Sequence, residues 1–330
     1  MIVVFQVTKK CNMRCPHCFF LSGPDNKKNL SLTKAINGIK DLKKSKLKIE
    51  EFLITGGEPT LWINKKKLYP KYPINNSLFT NSNTKKIIEL IKENFPSSKI
   101  RIDTNGMLFY KYPDLFDIYN PNSFQLSIDL MHKKGVSKED SNLILLSNGK
   151  SKLLDFFIKM KKKYQFKIYV RWTSNRKDEL IFKKFKKRYS DLKGNIIITK
   201  KFVTKTGRGE NMSIQETGKG FLIEENTNNF KCLFGEAIIL SIDGLWYGCY
   251  HPCRLTKLGK PENNNLKNSL KNLYKNPCLN IIKKKGILEY LKYAENILPK
   301  SRKKILNILK KRYWYRCEPC LEAQKRKVLV

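Results

Sequence analysis

The sequence predicts an α/β fold, a partial (β/α)6 TIM-like barrel with a smaller C-terminal cysteine-rich α+β extension. Two observations carry this. Over the first two hundred residues, short apolar segments alternate with lysine-rich stretches of helical period. Strands that alternate with helices of ten or more residues imply βαβ units and a parallel sheet. The pattern then breaks near residue 205, and six of the nine cysteines lie beyond that point. The expected division is therefore a core barrel at 1–205 and an extension at 206–330.

The elements follow in order. Apolar runs predict strands at Val3–Val7, Phe52–Thr55, Leu78–Thr80, Ile100–Asp103, Ser123–Ile128 and Lys167–Arg171, with a further one at Ile196–Thr199. Helical periodicity covers Ser31–Leu47, Thr84–Asn94, Ser151–Tyr164 and Lys177–Tyr189. Ser31-Leu-Thr reads as a helix start, with a hydroxyl capping the first N–H groups. In the extension, Ala237–Ile242 and Leu245–Tyr247 flank Asp243-Gly244, a hairpin signature. Residues 279–313 read as helical and basic, ending in the aromatic run Tyr313-Trp-Tyr315.

Parallel α/β barrels place their sites at the C-terminal strand ends. Polar runs fall at those ends here: Thr8–Cys18, Gly56-Gly57-Glu58-Pro59, Asn81-Ser-Asn83, Thr104-Asn105-Gly106 and Asp129.

The chain of 330 residues is long enough for a large core. No apolar run approaches the roughly 20 residues of a membrane span. The N-terminus lacks the basic segment and cleavage site of a signal peptide. Clustered cysteines in such a chain predict metal binding in the reducing cytoplasm rather than disulfides. The net charge of +39 suggests a polyanionic partner, but only 11 of the 67 basic residues are arginine. Arginine is the bidentate reader of phosphate and guanine. A nucleic-acid partner stays open and is not favoured, and the lysine, asparagine and isoleucine bias matches an AT-rich coding sequence.

The first motif is Cys11-Asn-Met-Arg-Cys15-Pro-His17-Cys18, directly after the first strand. A [4Fe–4S] cluster normally takes four thiolates, so three leave one iron open, and an open metal position signals chemistry. The bland alternative is a zinc knuckle with His17 as fourth ligand. The second motif, Gly56-Gly57-Glu58-Pro59, follows the second strand. Alone it would be a turn.

In this order the two motifs resemble the signature of the radical SAM superfamily. That resemblance implies a [4Fe–4S] cluster on Cys11, Cys15 and Cys18, whose fourth iron is chelated by the amino and carboxylate groups of S-adenosylmethionine. Reductive cleavage of that molecule then yields a 5′-deoxyadenosyl radical, which takes hydrogen from a substrate. It also implies that Gly56, Gly57, Glu58 and Pro59 bind the methionine amino group. Thr104-Asn105-Gly106 and Ser127-Ile-Asp129 resemble further strand-end motifs of the family, the serine being near the SAM carboxylate or ribose. The family's arginine after the latter motif is missing from Met131–Lys150, and Arg171 is the candidate substitute.

The later cysteines resemble the SPASM and twitch extensions. Cys232, eleven residues, Gly244, four residues and Cys249 match their opening element, and Cys317-Glu-Pro-Cys320 supplies a later pair. The implied ligands of an auxiliary [4Fe–4S] cluster are Cys232, Cys249, Cys317 and Cys320, with Cys253 and Cys278 unassigned. A structural zinc at Cys249, Cys253, Cys317 and Cys320 is the rival.

The expected activity is modification of a peptide or protein side chain, served by an electron-donating reductase. The alternatives are a radical SAM enzyme acting on RNA or a small metabolite, and a non-catalytic zinc- or iron–sulfur-stabilised binding protein. A first strand at the very start of the chain argues against an extra N-terminal peptide-recognition domain.

Overall fold

The structure, a computed structural model, describes residues 1–63, 76–174, 178–190, 196–202, 236–249, 256–263, 266–310 and 318–326. Its centre is an open nine-stranded sheet of order β6-β5-β4-β3-β2-β1-β7-β8-β9. The strands are β1 (Ile2–Thr8), β2 (Glu51–Gly56), β3 (Lys99–Thr104), β4 (Ser123–Ser127), β5 (Lys167–Ser174), β6 (Ile196–Phe202), β7 (Ala237–Leu240), β8 (Trp246–Tyr247) and β9 (Lys257–Gly259). Neighbours from β6 to β1 pair in parallel, as does β7 with β1. The last two strands turn back antiparallel. This is the predicted α/β architecture, with β7 extending the barrel sheet at its β1 edge.

Six of the seven expected strands form, and one does not. Leu78–Thr80 lies in a short helix, α2 (Asn76–Thr80). Its Phe79 is fully buried and packs on Tyr112, with ring centroids 5.6 Å apart. Three residues carry too little periodicity to separate a strand from a helical turn, so tertiary packing decides.

The predicted helices are α1 (Leu32–Ser45), α3 (Asn83–Asn94), α8 (Lys152–Tyr164) and α9 (Glu179–Ser190). Ser31 occupies the cap position of α1, yet its side chain makes no capping hydrogen bond. Ser82 and Ser151 do cap α3 and α8, accepting from the N–H groups of Lys85 and Leu154. Between these run four short helices: α4 (Met107–Lys111), α5 (Leu115–Tyr119), α6 (Leu130–Lys133) and α7 (Lys138–Ile144).

The outer face of the sheet carries the main core. Phe109, Phe116, Phe124, Phe157 and Phe166 interlock there with centroids 4.8–6.3 Å apart. Helix α1 crosses β7 and β8 closely. A Cβ at Gly38 would sit 2.8 Å from Leu240 Cδ2. The expected hairpin forms as β7 and β8, with Gly244 at φ +76° in its turn.

Beyond it, helices Leu266–Lys275, Pro277–Lys285, Ile287–Ile297 and Arg302–Leu309 bear out the basic helical segment. Tyr313-Trp-Tyr315 and the boundary at 205/206 lie outside the described residues. Among the described residues, no helix is long and apolar enough to cross a membrane.

Candidate functional site

The expected site residues of the barrel converge at the C-terminal ends of β1 to β5. The register of β1 on β2 slips between Gln6 and Thr8, which swings the chain into the cysteine loop. That loop is tied to the segment that follows it. The N–H of Lys9 donates to Lys28 O (2.8 Å), that of Cys11 to Gly23 O (3.1 Å) and that of Gly23 to Lys9 O (3.1 Å). Thr8 Oγ1 donates to Asn29 Oδ1 at 2.5 Å.

Cys11 and Cys15 are buried, Cys18 is half-buried, and none of the three is in a disulfide. Two of the sulfurs receive hydrogen bonds. Asn105 Nδ2 donates to Cys11 Sγ at 3.7 Å, and the Ser22 N–H donates to Cys18 Sγ at 3.3 Å. The turn after α6 presses on Cys15. A Cβ on Gly135 would lie 2.8 Å from Cys15 Sγ, and the Arg14 N–H donates to Gly135 O at 2.8 Å.

Burial pushes the Cys11 thiol up to about 12, with the nearby Glu58 and Cys18 adding to the effect. Metal coordination reverses that balance, since a ligating thiol is deprotonated outright. Three thiols on one short loop, with N–H donors on two of them, form a donor set that fits an iron–sulfur cluster.

The Gly-Gly-Glu-Pro turn is seated directly on the cysteine loop. The Gly57 N–H donates to Thr8 O at 2.6 Å and the Glu58 N–H to Lys10 O at 2.8 Å. Gly56 has φ +142°, and a Cβ there would meet Thr8 O at 2.3 Å. A Cβ on Gly57 would meet Lys10 O at 2.2 Å. Only glycine permits this approach. Pro59 opens a single helical turn, Pro59–Leu61, and its carbonyl accepts from Thr84 Oγ1 at 2.5 Å.

Glu58 is fully buried. Its carboxylate accepts from Thr104 Oγ1 (2.8 Å), Thr60 Oγ1 (2.9 Å) and the Asn105 N–H (3.0 Å). Burial pushes the carboxyl group up, against these hydrogen bonds. Glu58 thereby clamps the end of β2 to the end of β3. Asn105 is clamped on both sides: its amide nitrogen also donates to Asn12 Oδ1 at 2.8 Å, and its Oδ1 accepts from the Met107 N–H at 3.0 Å.

Ser127 pairs with Arg171 across β4 and β5. Arg171 donates to Gln125 Oε1 at 3.0 Å and lies 4.0 Å from Asp103. Asp103 lies 3.7 Å from Arg101, which pairs with Glu51 at 3.2 Å. The wall carrying the Arg171 candidate is thus polar and charge-balanced, two carboxylates against two guanidinium groups.

Sequence reasoning missed His132. Asp129 caps α6, and His132 Nδ1 lies 2.6 Å from Asp129 Oδ2. The signal was a capping aspartate with a histidine three residues on. The His17 and His132 rings meet edge-on at 4.6 Å, and the ligand atoms of His17, Asp129 and His132 lie within 4.8 Å of one another, close enough to hold a metal ion. Both Asp129 oxygens already accept from the chain itself, from the His132 and Thr173 N–H groups and from the imidazole. Burial alone would raise Asp129, but the charge and hydrogen bonds of His132, with His17 behind it, hold it at about 2.

A depressed carboxyl group stabilises the fold above its ordinary value near 4 and loses that contribution as pH falls toward about 2. Asp129→Asn should therefore cost about 2 kcal/mol at pH 7. Urea denaturation of both proteins should show the gap closing between about pH 4 and pH 2.

Of the later cysteines, Cys249 is buried beside Leu273 and Leu279, and Cys320 packs against the cluster containing Ile282 and Tyr290. Helix Pro277–Lys285 contributes to both clusters through Leu279 and Ile282. Cys232, Cys253 and Cys317 lie outside the described residues, as does the side chain of Cys278.

No curated protein matches the sequence. Among solved structures, the chain is similar to native anSMEcpe with bound AdoMet at 12% identity and TM-score 0.50, covering 94% of this chain and 99% of that one. The hexahistidine-tagged form with bound AdoMet gives 14% and 0.51, over 93% and 98%. The native form with AdoMet and the Cp18Cys peptide gives 13% and 0.50, over 93% and 99%. At these identities the likeness is one of fold. The sequence itself matches the model of the Radical SAM superfamily over residues 5–146, the span that contains both motifs. The enzymes of that superfamily use a [4Fe–4S] cluster and S-adenosylmethionine. The chain thus carries a radical SAM domain at residues 5–146, and the protein is an enzyme.

Proposed function

We propose that this enzyme abstracts hydrogen from a peptide or protein side chain, with Cys11, Cys15 and Cys18 as cluster ligands. The observation that carries the reading is the seating of Gly57 and Glu58 on Thr8 O and Lys10 O, which makes the two motifs one hydrogen-bonded frame. When bound there, the cluster and S-adenosylmethionine supply a one-electron cleavage of the sulfonium C–S bond and the hydrogen-abstracting species.

The chain's own residues do the rest. The two glycines bring backbone carbonyls within reach of the methionine ammonium, and Pro59 fixes the turn. Glu58 holds Thr104 and Asn105 in place, and Asn105 steadies Cys11. Ser127 and Arg171 are assigned to the SAM carboxylate and ribose side. The charge-balanced wall of Glu51, Arg101, Asp103 and Arg171 suits a polar substrate of low net charge, such as peptide backbone, better than a polyanion. The peptide bound in the anSMEcpe complex agrees with that choice. We extend the reading to an auxiliary cluster on Cys232, Cys249, Cys317 and Cys320 in a domain spanning 206–330.

The test is anaerobic reconstitution with iron and sulfide, reduction with dithionite and addition of S-adenosylmethionine. The expected result is about eight irons per chain, two cubes' worth, and slow formation of 5′-deoxyadenosine without substrate. Zinc binding with no visible absorbance and no 5′-deoxyadenosine would reject it.

A further inference from the structure

Asn105 meets the cysteine loop through an amide that is fixed at both ends. The residue is buried, as is Cys11. Its Oδ1 accepts from the Met107 N–H at 3.0 Å. The oxygen of a carboxamide accepts and its nitrogen donates, so this bond settles which way the group is turned. The NH2 end faces the loop, where it donates to Asn12 Oδ1 at 2.8 Å and to Cys11 Sγ at 3.7 Å. The backbone behind it is held as well. The Asn105 N–H donates to Glu58 Oε2 at 3.0 Å, and the Gly106 N–H to Thr104 Oγ1 at 2.9 Å. An amide with so little freedom presents an N–H dipole steadily to one sulfur.

The two sulfur donors differ in kind. The Ser22 N–H on Cys18 Sγ is main chain and belongs to the loop itself. Asn105 is a side chain that arrives from the end of β3, 94 residues from Cys11. The loop keeps its shape through main-chain bonds to Gly23 and Gly135, so the Asn105–Cys11 contact is not what folds it.

An N–H aimed at a sulfur stabilises negative charge there. Reduction adds an electron to the cluster, so the reduced form gains more from the bond and the potential rises. Burial acts the other way, since it disfavours added charge, and it makes each compensating hydrogen bond stronger than in water. Resting on the function proposed above, we infer that Asn105 sets the reduction potential of the cluster on Cys11, Cys15 and Cys18, raising it through the N–H on Cys11 Sγ. In the step it tunes, the cluster gains one electron and its reductant loses one. No covalent bond forms or breaks, and no proton moves.

Two substitutions separate the bond from the architecture. Asn105→Leu resembles the amide in shape and has no donor. Asn105→Asp keeps an oxygen for the Met107 N–H and loses the NH2. Ionised, its carboxylate adds negative charge. Protonated, it has a single O–H, drawn to Asn12 Oδ1, a stronger acceptor than sulfur. In either state Cys11 Sγ loses its donor. The control is Gly106→Ala. Gly106 has φ +76°, and a Cβ there would meet Phe157, Leu126 and Leu153 at 3.1–3.2 Å. It strains the same turn and keeps every polar atom.

The anaerobically reconstituted proteins are titrated with dithionite and followed by electron paramagnetic resonance. The signal read is the one that changes when S-adenosylmethionine is added. At the wild-type midpoint, the ratio of reduced to oxidised cluster should fall about tenfold in Asn105→Leu, a downward shift of about 59 mV for one electron. Asn105→Asp should shift at least as far. Gly106→Ala should lower the urea midpoint and titrate as wild type.

A wild-type potential in Asn105→Leu overturns the inference, even if Asn105→Asp shifts, since added charge would then be the cause. An equal shift in Gly106→Ala also overturns it, because strain in the turn would suffice. If Asn105→Leu fails to hold iron, Asn105→Asp decides. Loss of the cluster from both overturns the inference, since Asn105 would then retain the cluster rather than tune it. A wild type with no signal responsive to S-adenosylmethionine and no 5′-deoxyadenosine instead rejects the functional reading, and this inference falls with it.

Discussion

Replacing Cys11, Cys15 and Cys18 together by alanine should abolish 5′-deoxyadenosine formation and remove about half of the bound iron, roughly four of eight. On the proposed assignment the thiolates are ligands and not supports, so the loss is expected to be complete. A cluster deprived of all its protein ligands has nowhere to sit, whereas most packing defects leave residual activity. The fold should survive. Each change removes one sulfur from a loop whose shape is set by main-chain bonds such as Cys11 N–H to Gly23 O and Arg14 N–H to Gly135 O. Those bonds do not depend on the side chain. The destabilisation should be about 1 kcal/mol per buried sulfur, read as a modest fall in the urea midpoint of the metal-free protein. Continued 5′-deoxyadenosine formation by the triple variant would remove the basis of the functional reading.

A single methyl group should do almost as much damage at the neighbouring turn. Gly56→Ala and Gly57→Ala each place a Cβ within 2.3 Å of a backbone carbonyl oxygen, Thr8 O and Lys10 O respectively. A backbone atom cannot swing aside as a side chain does, so the turn must lift off the cysteine loop. Gly56 carries the added strain of φ +142°. Each variant should lose about 3 kcal/mol or more of stability and most of its affinity for S-adenosylmethionine, measured by urea denaturation and equilibrium dialysis. Gly259→Ala is the calibrating control. Gly259 also has positive φ, +113°, but nothing lies within 4 Å of its Cβ position. It should lose only about 1 kcal/mol and leave ligand binding intact. If Gly56→Ala behaves like Gly259→Ala, positive φ is responsible at that position and the close approach is not; Gly57, which has no positive φ, tests the close approach by itself.

Much of this was legible in the sequence, for reasons that particular residues show. Val3–Val7 and Phe52–Thr55 are apolar on both faces, as buried parallel strands must be, and they appear as β1 and β2. The cysteine loop and Gly56–Pro59 are local motifs whose chemistry requires a fixed spacing, so they could be located without knowing how the chain folds. Leu78–Thr80 was misread because its fate is set by Tyr112, more than thirty residues away. Ser31 stands where a cap belongs without acting as one, because a favourable residue type does not fix its own side-chain direction.

His132 was missed for a related reason. A histidine three residues after an aspartate is ordinary in sequence, and only folding brings it against His17. The charge-balanced wall was equally invisible, since Glu51, Arg101, Asp103 and Arg171 come from three strands with over a hundred residues between the first and the last. The expected auxiliary ligands Cys232 and Cys317 lie outside the described residues, so for them the sequence remains the sole source.

Strand β1 has β2 on one side and β7 on the other, with Ile2 opposite Ala237 and Phe5 opposite Leu240. Gln6 Oε1 also accepts from Ser241 Oγ at 3.0 Å. Chains are made from the N-terminus onward at about 5–20 residues per second. The strand that launches the cysteine loop therefore leaves the ribosome more than two hundred residues ahead of β7 and waits roughly ten seconds or more for that second neighbour. Contacts so distant in sequence are also slow to close. The cysteine loop thus spends the whole of that interval with one edge of its supporting strand unpaired, and its rigid seat is among the last parts of the barrel to be completed.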